Sequence, residues 1–189
     1  MIRSFLATLL LGAAVTAAAE TPPGARLVAD QSQIVFVSKQ MGVPVEGSFR
    51  KFDAQVAFDP RKPEGGSVAL QIDCASATLG IPQTDAELAK PAWFDVAHHP
   101  KARFESSAIQ AKGDGRFEVA GKLTLKGATK NVVVPVEITQ SNGQSVATGS
   151  FTIQRLAYKI GEGEWTDTSM VADDVQVRFK LALTGLKPL

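Results

Sequence analysis

The sequence predicts an all-β fold: an antiparallel sheet that closes into a barrel, with one short helix beside it. Three observations support this prediction. Apolar residues recur with a period of two, Gly- and Asn-containing turns separate the alternating runs, and a single segment carries helix signals. Successive side chains of a strand point to opposite faces of a sheet, so the period indicates strands with one buried and one solvated face.

Three long runs show the alternation most clearly. Ser67 to Cys74, Arg116 to Lys126 and Asp174 to Leu183 each place apolar residues on one face and mostly polar or charged residues on the other. Together with shorter runs they predict about nine strands. The shorter runs are 34–36, 45–49, 54–58, 102–106, 132–138 and 151–153.

Short turns between the runs indicate the topology. Turn residues stand at Gly65-Gly66, Gly113-Asp114-Gly115 and Asn142-Gly143, and strands joined by tight turns pair antiparallel. Sequential antiparallel strands form a sandwich or an up-and-down barrel. Closing the sheet buries its one apolar face and removes exposed edges, so we favour the barrel.

One segment is typical of a helix. Thr84 and Glu87 have the spacing of a capping box, Ala- and Leu-containing turns follow, and Pro91 ends the run. No internal repeat or linker divides the rest of the chain, which therefore forms one domain.

The N-terminus has the layout of a secretory signal peptide. Arg3 supplies a positive charge, residues 5–16 form an apolar run, and Ala17-Ala18-Ala19 is a small-residue cleavage site. We therefore expect a signal peptide over residues 1–19, a mature domain over residues 20–189 and a periplasmic location. A span needs about 20 apolar residues, so no stable membrane insertion is expected.

Charge and composition exclude several functions. Loss of Arg3 with the signal peptide leaves 19 basic and 19 acidic residues, without the basic field that nucleic acids require. His98 and His99 are the only histidines, and zinc needs three or four converging ligands. Cys74, the only cysteine, is interpreted as a small buried hydrophobe. We expect no metal, no cofactor and no enzymatic activity.

Phenylalanine is concentrated on the predicted inward face. A barrel of about eight strands can be filled by its own side chains or can hold one ligand, and the alternation leaves both alternatives open. Seven of the nine mature phenylalanines lie at inward positions: Phe36, Phe49, Phe58, Phe104, Phe117, Phe151 and Phe179.

Arg155 is the polar residue with the clearest implication. It stands two residues after Ile153 and four after Phe151, so continued alternation would point it inward. A buried arginine is costly unless it is paired. Two hypotheses follow: the guanidinium binds the head group of a ligand, or it forms an ion pair with one of the nearby acids. Those acids are Asp167, Asp173 and Asp174.

Several motifs along residues 27–183 carry a resemblance to a known family. Gly121 to Lys130 reads GKLTLKGATK, and Arg155 follows a Phe-x-Ile strand. The other motifs are Asp30 to Phe36, Glu46 to Phe49, Phe52, Phe58-Asp59, Asp85, Leu88, Trp93 to Asp95, Pro100 and Phe104 to Ser106. In this order they resemble the YceI-like family of bacterial exported proteins, also called polyisoprenoid-binding or lipid-binding YceI-like domains.

The resemblance implies an elongated, lipocalin-like antiparallel barrel of eight strands with a helix beside its mouth. It also implies a long apolar channel for an isoprenoid or a similar amphiphile. Two departures concern the polar end: residues 39–42 and 85–88 contain no histidine, where many members have one.

The expected function is that of a periplasmic carrier for a long-chain amphiphile, such as a polyisoprenoid, a quinone or another lipid. The alternatives are a filled barrel that serves as a structural or partner-binding module, and an enzyme that acts on isoprenoids. A homodimer is left open. Trp93 is expected near the mouth with Phe94 and Trp165. The predicted ligand contacts are Phe36, Phe49, Phe58, Leu70, Ile72, Phe94, Phe104, Phe117, Phe151, Ile153, Arg155, Trp165 and Phe179.

Overall fold

The structure is a computed structural model that describes residues 24–189, so the predicted signal peptide lies outside the described residues. Within this range the chain forms eleven strand segments and one α-helix, α1 (Pro82–Leu88). The strand segments are β1 (Ala25–Leu27), β2 (Gln33–Gln40), β3 (Val43–Phe49), β4 (Phe52–Ala57), β5 (Ser67–Asp73), β6 (Ala77–Thr78), β7 (Lys101–Gly113), β8 (Arg116–Leu125), β9 (Ala128–Ser141), β10 (Gln144–Gln154) and β11 (Asp174–Thr184).

The segments form a closed antiparallel barrel of eight strands. Three strands consist of two segments each: β1 with β2, β3 with β4, and β5 with β6. The last segment, β11, pairs with both β1 and β2 and so closes the ring. The nine runs of the sequence give eight strands because 45–49 and 54–58 belong to the same one.

The divided strands are interrupted at one level of the barrel, at residues 28–32, 50–51 and 74–76. Hydrogen bonds between these breaks keep neighbouring strands together. The N–H of Arg50, for example, donates to the carbonyl of Ser76 over 3.2 Å. The wall therefore stays closed between these two strands where their regular pairing stops.

Two predicted hairpin turns are confirmed. Asn142 and Gly143 join β9 to β10 with φ angles of 51° and 75°. Both lie in the left-handed region that a two-residue hairpin turn requires, and Asn and Gly adopt it at low cost. Asp114 and Gly115 join β7 to β8 in the same way, with φ angles of 52° and 72°.

The predicted start of the helix is wrong by three residues, because a capping Thr84 would make Asp85 the first helical residue. The helix begins at Pro82, so Thr84 lies inside it and caps nothing. Proline is favoured at the first helical position because its missing N–H would have no partner there. The Asp85 carboxylate accepts from the Thr78 hydroxyl and the Leu79 N–H, each over 2.6 Å. These hydrogen bonds, the one from Thr78 foremost, lower the pKa of Asp85.

Two loops cover one end of the barrel. Residues 79–100 contain α1, and residues 155–173 join β10 to β11; we call them the covering loops. The N–H of Gly161 donates to the carbonyl of Ala92 over 2.8 Å, which ties one covering loop to the other.

Arg155 holds the second covering loop together. It begins a 3-10 turn (Arg155–Tyr158) instead of extending β10, and only 2% of the residue is exposed. A guanidinium has five N–H donors in a fixed plane. Each donates to a backbone carbonyl of the same loop, over 2.6 to 3.0 Å. The acceptors are Ala172 for Nε, Ile160 and Gly161 for Nη1, and Trp165 and Val171 for Nη2.

This arrangement differs from both hypotheses for Arg155. No N–H is left for a ligand head group, and no acidic side chain of residues 24–189 forms an ion pair with it. The Asp173 carboxylate accepts from the Leu156 N–H over 2.9 Å instead. Burial lowers the pKa of the Arg155 guanidinium, and the charge of Asp173 opposes this effect.

Replacing Arg155 with Met should therefore destabilise the fold. Each buried polar group left without a partner costs about 1–3 kcal/mol, so losing the donor of several carbonyls should cost at least about 3 kcal/mol. Urea unfolding of the ligand-free protein measures this change. The matched control is Arg178→Met, which removes a half-exposed ion pair with Glu46 and should cost less than about 1 kcal/mol. Equal losses in the two variants would contradict the structural role of Arg155.

Cys74 lies in the break between β5 and β6 and is 2% exposed, which confirms that it is buried. Burial is the main cause that raises the pKa of its thiol from 9.0 to about 11. The thiolate is the reactive form of cysteine. The folded protein therefore holds Cys74 in its unreactive form at neutral pH.

Native protein at pH 8 should react slowly with a thiol reagent such as Ellman's reagent, and protein in urea should react at once. The raised pKa also links the thiol to stability: its contribution is complete below pH 9.0 and is lost as the pH rises through about 11. Complete labelling of the native protein within seconds at pH 8 would show that Cys74 is accessible.

Candidate functional site

A cavity runs along the inside of the barrel. It has a volume of about 220 Å³ and reaches from the covering loops, at Trp93 and Ile160, to Leu186 beyond the other end of β11. All eight strands contribute side chains to its wall. The barrel is therefore not filled by its own side chains, which decides between the two alternatives that the alternation left open.

Every predicted ligand contact except Trp165 borders this cavity. Trp165 lies in the second covering loop, where its ring is 5.5 Å from that of Trp93, which does border the cavity. The structure thus brings the predicted residues into one site, and their contact with a ligand stays a prediction. The predicted residues at the cavity are Phe36, Phe49, Phe58, Leu70, Ile72, Phe94, Phe104, Phe117, Phe151, Ile153, Arg155 and Phe179.

Many aliphatic residues of the wall were not predicted as ligand contacts. Those on strands follow the same alternation as the phenylalanines, so the period of two could have identified them. Leu88, Ile160 and Leu186 lie outside the strands, and their positions depend on how the chain folds over the ends of the barrel. The strand residues are Ile34, Val56, Val68, Ile109, Val119, Leu123, Leu125, Val134, Val136, Ile138, Val175, Val177, Leu181 and Leu183.

Inward-facing glycines make room for three of the phenylalanine rings. The ring of Phe36 lies over Gly47 of the neighbouring strand, and a Cβ at that position would overlap it. At Gly121 an added Cβ would lie 2.6 Å from Cζ of Phe104. The third pair is Gly149 with Phe179. Glycine here lets an aromatic ring lie against the wall of the barrel, which keeps the centre open.

The rings form two groups inside the barrel. Near the covering loops, the ring centroid of Phe49 lies 5.3 Å from that of Phe36 and 5.7 Å from that of Phe94. Towards the other end, Phe58 and Phe117 pack edge to face with centroids 5.1 Å apart. Both distances and angles are typical of favourable aromatic pairs. The wall therefore offers apolar contact along its whole length.

The buried cations near the covering loops have no free donors. Lys126, 8% exposed, donates to the carbonyls of Pro91 and Lys159 and to the carboxylate of Glu162, all within 2.9 Å. An ammonium group has three donors, so Lys126 is fully satisfied, as Arg155 is. Among the side chains that border the cavity, no cationic N–H is left without an acceptor.

Apart from Arg155 and the indole N–H of Trp93, Ser38 has the only polar side chain of the wall. Its neighbours along the inward face of β2 are Ile34 and Phe36, both apolar. No residue that borders the cavity is Cys, His, Asp, Glu or Lys. The wall therefore offers neither a nucleophile paired with a base nor a set of metal ligands.

Other features of residues 24–189 bear on membranes and metals. No helix in this range is long and apolar enough to cross a membrane. No three side chains of His, Cys, Asp or Glu in the same range lie close enough together to hold a metal ion. His98 is exposed, and its Nδ1 lies 2.9 Å from Oδ1 of Asp95, away from the cavity.

Relatives resemble this chain in sequence, and solved structures share its fold. The UPF0312 protein of Azotobacter vinelandii is 32% identical over 138 residues, which cover 71% of this chain and 72% of the relative. The structure of Burkholderia cenocepacia BcnA superposes with a TM-score of 0.80 at 45% identity, covering 82% of this chain and 98% of BcnA.

A more distant structure shows the fold alone. It is a polyisoprenoid binding domain from Saccharophagus degradans, with a TM-score of 0.68 at 18% identity, covering 85% of this chain and 97% of that domain. The sequence profile of the YceI-like domain matches residues 26–183, nearly all of the residues that the structure describes. The protein therefore belongs to the YceI-like domain family.

Proposed function

We propose that this protein is an exported carrier that holds a long-chain amphiphile, such as a polyisoprenoid or a quinone, with its tail inside the barrel. The observation that carries the proposal is the apolar cavity that extends from the covering loops to Leu186. A narrow, continuous apolar space fits a flexible hydrocarbon chain better than a compact polar metabolite.

Burial of the tail supplies the binding energy. Each buried methylene contributes about 0.8 kcal/mol, so ten tail carbons offer on the order of 8 kcal/mol before costs. Ordering a flexible chain and losing its free motion reduce this gain. Shape and access to the cavity will therefore limit affinity more than the supply of apolar surface does.

The fold of the Saccharophagus degradans domain supports this choice of ligand, since that protein is a polyisoprenoid binding domain. The composition of the wall supports a carrier over an enzyme. Ser38 is its only hydroxyl side chain, and no histidine or carboxylate borders the cavity to activate it.

Export is part of the same proposal. A carrier for water-insoluble lipids is useful in an aqueous compartment between membranes, and the first nineteen residues have the layout of a signal peptide. We propose the periplasm as the location.

The full chain expressed in a bacterium with two membranes should yield periplasmic protein that begins at Glu20, as N-terminal sequencing would show. The matched control is Ala19→Leu, which places a large residue at the cleavage site and should leave the precursor uncut. Periplasmic protein that still begins at Met1 would contradict cleavage at this site.

Phe104→Asp should abolish binding of an apolar fluorescent probe such as N-phenyl-1-naphthylamine, because it places an unpaired carboxylate in the apolar wall. Arg103→Asp is the matched control, since Arg103 is the exposed neighbour on the same strand, and it should bind normally.

A second variant separates loss of binding from loss of folding. Ala147 is a small residue of the cavity wall, 7% exposed, and Ala147→Leu adds volume without charge. It should stay folded by circular dichroism and bind a long prenol at least several-fold more weakly, because the added side chain occupies the tail's space. Wild-type affinity in both Phe104→Asp and Ala147→Leu would mean that the ligand lies elsewhere.

A further inference from the structure

The hydroxyl oxygen of Ser38 is buried and has no hydrogen-bond partner among residues 24–189. It is the one buried side-chain polar atom of the described chain in this state. A buried polar group without a partner costs about 1–3 kcal/mol, so such atoms are uncommon and call for an explanation. Because Ser38 borders the cavity, the simplest explanation is that a bound ligand supplies the missing hydrogen-bond partner.

The position of Ser38 agrees with this explanation. Ser38 stands two residues before the end of β2 at Gln40, and Gln40 bridges to Val171 of the second covering loop. Ser38 therefore lies at the covered end of the cavity, whereas the opposite end is bordered by Phe58 and Leu186. An amphiphile placed with its oxygen at Ser38 would direct its tail along the apolar length of the barrel.

The charges around the cavity determine which kind of oxygen can lie there. Arg155 is the only charged residue that borders the cavity, and all five of its N–H groups donate to backbone carbonyls. Lys126 is likewise satisfied by three protein acceptors. A phosphate inside the cavity would therefore find no free cationic N–H to bind, and burying an anion without such hydrogen bonds is far more costly than burying a neutral group.

Resting on the proposed function, we infer that Ser38 is the polar contact of the ligand and that the cavity selects a neutral amphiphile, an alcohol or a carbonyl compound, over a phosphorylated one. A serine hydroxyl donates to a carbonyl oxygen and can either donate to or accept from an alcohol. Ser38 therefore serves a prenol and a quinone equally well. It offers a dianionic phosphate one hydrogen bond, and no N–H of Arg155 or Lys126 is free to add another.

Three probes with the same saturated branched chain test this inference: phytanol, phytanyl phosphate and the hydrocarbon phytane. The affinity of each probe is measured by displacement of N-phenyl-1-naphthylamine from wild-type protein, from Ser38→Ala and from Ser38→Thr. We expect wild-type protein to bind the alcohol at least about 10-fold more tightly than the phosphate. Ser38→Ala should lower the affinity for the alcohol roughly 3- to 10-fold, the equivalent of one neutral hydrogen bond. The affinity for phytane should not change. Ser38→Thr keeps the hydroxyl and should keep the preference.

The outcomes are distinguishable. If phytane and the alcohol lose affinity equally in Ser38→Ala, or if neither changes, Ser38 does not contact the polar group of the ligand. Equal wild-type affinity for the phosphate and the alcohol would overturn the selection of neutral ligands. Failure of all three probes to bind wild-type protein would instead overturn the proposed function. Urea unfolding of ligand-free Ser38→Ala should show no loss of stability, because the hydroxyl has no protein partner to lose.

Discussion

The alternation of inward and outward side chains in a closed antiparallel sheet is the constraint on which the rest of this structure depends. Closure makes every second residue of every strand share one small interior, so those residues must be apolar and their bulk must be balanced. Large rings meet this limit because glycines face them across the strand pairs, as Gly149 does beneath Phe179. The centre therefore stays open because inward glycines leave room at the wall for the large inward rings.

Two buried cations at the covered end show how the same interior accommodates positive charge. A desolvated charge is costly unless every donor is satisfied. Arg155 and Lys126 meet this condition with carbonyls and one carboxylate of the covering loops. Their positive charges hold these loops in place instead of facing the cavity. The surface ion pair of Arg178 with Glu46 remains hydrated, so its donors do not all need protein acceptors.

Local periodicity accounts for what the sequence could predict. The inward phenylalanines were predictable because alternation within a strand depends only on neighbours along the chain. Arg155 is buried and borders the cavity, as alternation predicts, but its hydrogen-bond partners were not predictable because a 3-10 turn begins at this residue. Its carbonyl partners lie between residues 160 and 172, in a loop without a regular alternation of apolar and polar residues. The division of three strands into segments was also beyond reach, because a break such as 50–51 is defined by the pairing of its neighbours.

The likeness to solved structures follows from the same physics. BcnA and the Saccharophagus degradans domain both share the fold, although the second is far less similar to this chain in sequence. A closed barrel requires a pattern of apolar and polar positions, and many residue types satisfy each position. The wall of the cavity can therefore diverge widely while the fold is kept. Chemical choice between ligands must then reside in the few positions where the apolar pattern is interrupted, and on the inward face of β2 that position is Ser38.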